Sequence, residues 1–174
     1  GGLNKLMHMH VVTLDKDGGA TVELDLTPEL LNPLGMAHGG TIFTLCDIAA
    51  GSAAASQGTV AVTLDSTIHY YRPGRCGKKL TAVAYERKRG RKVSVYMVEV
   101  HDDEGKHIAD ATFTMFYTGA TLDDGTKQTL EGLAAVLRST AKTMGTAGQI
   151  KDAKTSICDI IEDTWDEYTG DVNN

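Results

Sequence analysis

The sequence predicts an α+β domain, an antiparallel sheet with one long helix laid against a single face. Six β-prone stretches follow one another, and the connections within each run of strands are of hairpin length, too short for the crossover helices that parallel strands require. One long helical run, Gly39 to about Ser56, separates the second stretch from the third. No glycine string of the dinucleotide-binding or P-loop type occurs, which removes the doubly wound alternatives.

The first two strands form a hairpin. His8 to Leu14 is β-prone, and Ala20 to Leu26 alternates strictly, with Ala20, Val22, Leu24 and Leu26 on one side and Thr21, Glu23 and Asp25 on the other. Asp15-Lys16-Asp17-Gly18-Gly19 between them supplies residues that tolerate positive φ. Pro28 and Pro33 bracket a loop. The helix that follows contains no proline, is rich in Ala and Leu, and carries the small residues Gly51 to Ala55, which permit close packing on all sides. Four strands come next: Thr59 to Tyr71, Lys79 to Arg87, Lys92 to Asp102 and His107 to Tyr117. Turn chemistry divides them at Pro73-Gly74, Lys88 to Arg91 and Asp103-Glu104-Gly105. Past Gly119 the pattern changes: Leu130, Leu133, Ala134, Leu137, Ala141 and Met144, then Ile150, Ala153, Ile157, Ile160, Ile161 and Trp165, fall at helical spacing. The expected organisation is a domain over residues 1–119 and a helical C-terminal extension over 120–174.

Composition bounds the function. A chain of 174 residues, 41% hydrophobic and 23% charged, fits one folded core and is too short for two full enzyme domains. Lys plus Arg number 17 against 23 Asp plus Glu, a net charge of -6, which argues against nucleic acid or an anionic membrane as the main partner. The weakly polar run Thr41 to Ala55 is broken by Asp47, Gly51 and Ser52, and falls short of the roughly 20 apolar residues of a spanning helix. No basic segment followed by an apolar run opens the chain, and Gly1-Gly2 reads as a cleavage scar, so a cytoplasmic location is expected. Cys46, Cys76 and Cys158 are odd in number, widely separated and without a C-x-x-C pair, so free thiols are expected rather than disulfides or zinc ligands. His8 and His10 alternate along a strand and lack further ligands at metal-binding spacing, so no metal is expected.

One string stands apart: Asn32 to Asp47, containing His38-Gly39-Gly40 at the start of the helix. A glycine pair there leaves backbone N–H groups unobstructed where the helix dipole adds positive potential, a place that favours an oxyanion and can polarise a carbonyl. Asp47 lies within the helix among Leu45, Cys46, Ile48 and Ala49, where a carboxylate is costly to bury without a partner or a purpose. Asp47 is eight residues beyond Gly39, roughly 12 Å along one helix at 1.5 Å per residue. One subunit therefore cannot apply both to one carbonyl. Two helices antiparallel across a two-fold axis can, which predicts an obligate homodimer with composite sites.

The string resembles the signature of the PaaI-type acyl-CoA thioesterases of the hotdog fold, and the likeness extends over about Leu6 to Tyr117. In that family an Asn stands six positions before the His of His-Gly-Gly and an Asp nine positions after it, the separations of Asn32, His38 and Asp47 here. The resemblance implies a sheet wrapped around one central helix, and a homodimer that assembles further into a homotetramer. It implies that the Gly39 amide holds the thioester carbonyl, that Asn32 and His38 shape the pocket, and that Asp47 of the neighbouring subunit is nucleophile or general base. Thr63 matches a polar strand residue that orients water or carboxylate in some members, and equally fits an ordinary strand residue. His38 could instead act as acid or base, as in the related hotdog dehydratases, but those resemble one another in a proline-rich stretch around the His and a helix Glu, unlike Gly39-Gly40 and Asp47. Coenzyme A, here part of the substrate rather than a separate cofactor, is strongly anionic. The resemblance places two basic turns, Arg72 with Arg75 and Lys88 to Lys92 around Gly90, near the groove mouth, where Arg72, Gly90, Arg91 and Lys92 would hold its phosphates. The expected activity is hydrolysis of an acyl- or aryl-CoA thioester, with a dehydratase or hydratase and a non-catalytic acyl-CoA-binding module as rivals on the same fold.

Overall fold

The computed structural model describes residues 2–121. A short helix α1 (Leu3–Leu6) leads into β1 (Met9–Asp15) and β2 (Gly19–Asp25); a single 3-10 turn, Pro28–Leu30, occupies the loop between the prolines. Helix α2 (Gly39–Ala55) follows, then β3 (Thr59–Tyr70), β4 (Lys79–Lys88), β5 (Val93–Asp102) and β6 (His107–Thr121). The six strands form one antiparallel sheet in the order β1-β2-β4-β5-β6-β3. The last strand runs past the expected end at Tyr117 and across the expected boundary at residue 119; the helical spacing expected beyond it, with Cys158, lies outside the described residues.

Alternation sets the two faces of the sheet. Ala20, Val22 and Leu24 of β2, Leu80, Ala82 and Ala84 of β4, Tyr96, Val98 and Val100 of β5, and Ala109, Ala111 and Phe113 of β6 are buried on one face. Against them α2 lays a stripe of Ile42, Leu45, Cys46, Ala49, Ala50, Ala53 and Ala54. Pairs of residues recurring every four positions keep one side of a 3.6-residue helix turned to the core. The alanines let the helix lie close to the sheet, and this stripe decides where the rest of α2 points. Phe43, Thr44, Asp47, Ile48, Gly51 and Ser52 form the complementary, half-buried flank. Asp47 is thus not enclosed by apolar groups, as its neighbours in sequence suggest, because a step of about 100° per residue turns it off the core stripe.

Strand β3 ends the sheet on one side. Among the described residues its outer edge is unpaired, and Val62 and Leu64 are 50% and 62% exposed. Its register with β6 slips between Thr63 and Asp65, where Thr63 pairs with Met115 and Asp65 with Thr114, leaving Leu64 as a bulge.

Candidate active site

The amino end of α2 is built by the loop before it. Asn32 Oδ1 accepts hydrogen bonds from the backbone N–H groups of Leu34 (2.9 Å) and Met36 (3.1 Å), and Asn32 N–H donates to Met36 O (2.7 Å). This closes a tight turn in which Gly35 takes a φ of 73°, a conformation that glycine adopts without strain. The chain then returns beside the 3-10 turn: Leu30 O accepts from His38 N–H (2.9 Å) and from Thr41 Oγ1 (3.0 Å). Ala37 N–H donates to Gly74 O (2.9 Å), tying the approach to the loop between β3 and β4. His38 is the N-cap, its Nδ1 accepting from Gly40 N–H at 2.9 Å. That bond fixes the tautomer, since an accepting Nδ1 carries no proton. A side chain at position 40 would crowd the ring, because its Cβ would stand 3.1 Å from Nδ1. The Gly39 N–H, by contrast, has no partner among the described residues and stands at the positive end of a 17-residue helix.

Two turns further along α2, the Asp47 carboxylate accepts a 2.6 Å hydrogen bond from Thr63 Oγ1. The hydroxyl fixes one carboxylate oxygen and leaves the other on the half-buried flank. Two of the expected residues therefore meet directly, while Gly39, Asn32 and His38 gather at the other end of the same helix. Within one chain the two groups stay apart, as the helix rise requires.

Tyr70 joins these residues without a signal in the sequence. Its hydroxyl donates to Gly39 O at 2.9 Å and lies 3.4 Å from where a Gly39 Cβ would be. It sits in Tyr70-Tyr71-Arg72-Pro73, two tyrosines of opposite facing, and no local signal shows which one reaches the helix.

Beside Asp47, Cys46 is fully buried; burial, reinforced by the neighbouring carboxylate, pushes its thiol up to about 12, so it is not a nucleophile. Among the described residues, Asp102, Asp103 and Glu104 lie close enough together to share an ion. Lys78 stands 3.4 Å from Asp103 and 3.5 Å from Glu104, and Lys106 stands 3.1 Å from Glu104.

The two basic turns stand far apart within one chain. They lie at opposite ends of the ten-residue β4, roughly 30 Å apart at about 3.3 Å per residue, so one chain does not bring them to one groove mouth. The Arg72 guanidinium donates to His107 O (2.9 Å), next to the Tyr70 end of β3. Arg91 and Lys92 are exposed. Gly90 has a structural reason to be glycine, since a Cβ there would stand 2.2 Å from Val93 O. Behind it, Gly90 N–H donates to Ser94 Oγ, which also accepts from Tyr117 Oη; the Tyr117 and Tyr96 hydroxyls lie 3.2 Å apart, and Tyr96 donates to Glu86. The cross-strand pairs Thr63–Met115 and Ser94–Met115 put this turn at the level of Thr63.

A family model of the thioesterase superfamily matches residues 34–109. The acyl-coenzyme A thioesterase PaaI of Escherichia coli K12 is 36% identical over 105 residues, 60% of this chain and 74% of that protein. The chain belongs to the PaaI-type thioesterases. The solved structure of E. coli PaaI, from the phenylacetic acid degradation operon, superposes on this PaaI-type thioesterase with a TM-score of 0.66 at 33% identity, covering 69% of this chain and 86% of that one. A hypothetical thioesterase protein of Streptococcus pneumoniae TIGR4, solved with coenzyme A, gives a TM-score of 0.63 at 36% identity over 66% and 91% of the two chains. That protein has also been solved with an Asp-to-Ala and with a Thr-to-Ala exchange, at positions sixteen apart. The fold is the hotdog fold, its sheet wrapped around α2, and the chain is a thioester hydrolase.

Proposed function

We propose that this enzyme hydrolyses acyl-CoA thioesters with the Gly39 N–H, which has no partner among the described residues, and the Thr63-held Asp47 as its two working groups. The Gly39 amide, at the positive end of α2, is suited to the thioester oxygen as negative charge develops there. Asp47 either attacks the carbonyl carbon or takes a proton from the water that does, and the Thr63 hydroxyl orients it for that step. The observation that carries the reading is the 2.6 Å bond between Thr63 and Asp47. Support comes from the coenzyme A in the S. pneumoniae relative and from its Asp and Thr exchanges, whose separation of sixteen is that of Asp47 and Thr63.

Because Gly39 and Asp47 lie roughly 12 Å apart on one helix, each site takes Gly39 from one subunit and Asp47 from the other. The edge of β3, unpaired among the described residues, with its exposed Val62 and Leu64, and the half-buried flank of α2, are the surfaces such a homodimer covers. The same two-fold brings the Arg72 loop, beside Gly39 of one subunit, toward the Gly90 turn, level with Thr63 of the other, so both basic turns can flank one coenzyme. Val83 and Tyr85, each 41% exposed on the outer face of the sheet, favour pairing of two dimers into a homotetramer. No helix among the described residues is long and apolar enough to cross a membrane. The reading places the enzyme in the cytoplasm, with acyl-CoA rather than nucleic acid or lipid as partner.

Release of free thiol from a panel of acyl- and aryl-CoA thioesters tests this. Hydrolysis is expected. Double-bond chemistry without thiol would make the protein a dehydratase or hydratase, and binding without turnover a non-catalytic module.

A further inference from the structure

We infer that Tyr70 is a positioning residue for the Gly39 end of α2, aimed there by the bulge at Leu64; the inference rests on the proposed role of the Gly39 amide. Thr63 and Tyr70 are seven residues apart, an odd number, so an unbroken strand would turn them to opposite faces of the sheet. The extra residue between Thr63 and Asp65 restores the parity, and both side chains reach α2, Thr63 at Asp47 and Tyr70 at Gly39. One edge strand therefore holds both working groups of the helix.

The hydrogen bonds explain what Tyr70 controls. Its hydroxyl donates to the Gly39 carbonyl, and the N–H of that same peptide unit, Gly40 N–H, donates to His38 Nδ1. The peptide is gripped at both ends. The preceding peptide is held through His38 O, which accepts from Thr41 N–H (2.9 Å) and Ile42 N–H (3.2 Å). Between these planes stands a glycine, whose backbone has more freedom than any other residue, at the place where an N–H must point at a reacting oxygen. The Gly39 N–H lies in the preceding plane, which is tied to the following one through φ and ψ of Gly39; holding the following plane narrows that pair of angles, and with it the direction of the N–H. Preorganisation of this kind matters for catalysis because a donor already aimed needs no reorientation as charge develops. Burial raises the Tyr70 hydroxyl above the usual phenol range, so it remains a donor at neutral pH.

Tyr70→Phe keeps the ring and removes the hydroxyl. The expected result is a fall in kcat of about tenfold with KM for acyl-CoA changed less than about twofold, since an interaction that sharpens in the transition state is lost while binding stays. Tyr70→p-aminophenylalanine, which keeps an N–H donor at the ring tip, is expected to recover most of that loss. The direct readout is the infrared carbonyl stretch of an acyl-CoA labelled with carbon-13 at the thioester carbon, bound to Asp47→Asn enzyme so that it persists. Its frequency should drop on binding, and return part of the way to the free value when Tyr70→Phe is added. A drop that Tyr70→Phe leaves unchanged, or a Tyr70→Phe enzyme with kcat within twofold of the parent, overturns the inference and leaves the Gly39 reading standing. No drop even with Tyr70 present overturns the Gly39 reading and the inference with it. Loss of kcat and thermal stability together, without recovery by the amino analogue, makes Tyr70 a structural residue and overturns the inference.

Discussion

Among the described residues, the Thr63 hydroxyl at 2.6 Å explains the orientation of the Asp47 carboxylate, and the two residues make separable predictions. Asp47→Asn is nearly isosteric and lies off the core stripe, so the fold should survive, while kcat should fall by about 10² or more if Asp47 attacks the carbonyl or activates water as proposed. Thermal denaturation together with thiol-release kinetics checks both halves. Thr63→Ala frees the carboxylate without removing it and should cost about tenfold in kcat, whereas Thr63→Ser, which keeps the hydroxyl, should stay within a few-fold of the parent. Equal damage from Ala and Ser would make the methyl group, not the hydroxyl, the part that matters. The cysteines give a third test at this scale. Cys46 is buried with its thiol pushed up to about 12, so it stays protonated throughout the neutral range, whereas Cys76 is exposed. Iodoacetamide at about pH 8 should therefore alkylate Cys76 and spare Cys46, with mass spectrometry of the digest reading the sites, and activity should survive modification of Cys76.

At the scale of elements, the connections at the two ends of β4 do different work. The Gly90 turn is fastened from behind by Ser94, Tyr117, Tyr96 and Glu86, and its glycine faces Val93 O too closely for any side chain. Gly90→Ala should shift that backbone and cost about 1–3 kcal/mol of stability, within the range of overpacking and strain. It should also raise KM for acyl-CoA if the turn carries the phosphate contacts. Arg91→Ala removes charge without that strain, and should raise KM several-fold, leave kcat unchanged and barely affect a short pantetheine thioester lacking the nucleotide. Arg72→Ala is different, because Arg72 already donates to His107 O. Its loss should lower the melting temperature slightly as well as raise KM. If raising salt leaves the KM for acyl-CoA unaltered, neither turn clamps phosphate.

Across the whole molecule, the proposed roles of the Gly39 amide and of the Asp47 carboxylate eight residues on make each helix half of any single site. Mixing Asp47→Asn subunits with Gly39→Pro subunits should regenerate about one working site per heterodimer, because each variant retains the group that the other lacks. Activity of the co-refolded mixture, compared with either variant alone, is the measurement. A mixture no more active than its parts would place donor and carboxylate in one chain. What the sequence by itself determined is local: the strict alternation of Ala20 to Leu26, the helix opening at Gly39, the turns between strands, and the spacing of Asn32, His38 and Asp47. The first three repeat or recur within a few residues, so periodicity and turn chemistry reach them, while the spacing of Asn32, His38 and Asp47 is legible through its resemblance to the family signature. Only the tertiary structure decided that Asp47 stands on the flank of α2 rather than among apolar groups, that the basic turns sit at opposite ends of β4, and that Tyr70 rather than Tyr71 meets Gly39. The first depends on which stripe of the helix the sheet claims. The second follows from strand length, and the third from one unpaired residue at Leu64 that changes the parity of β3 without changing its composition. Contacts between residues 16 and 31 positions apart, Asp47 with Thr63 and Gly39 with Tyr70, arise where a strand crosses a helix, and no local pattern in the chain records that crossing.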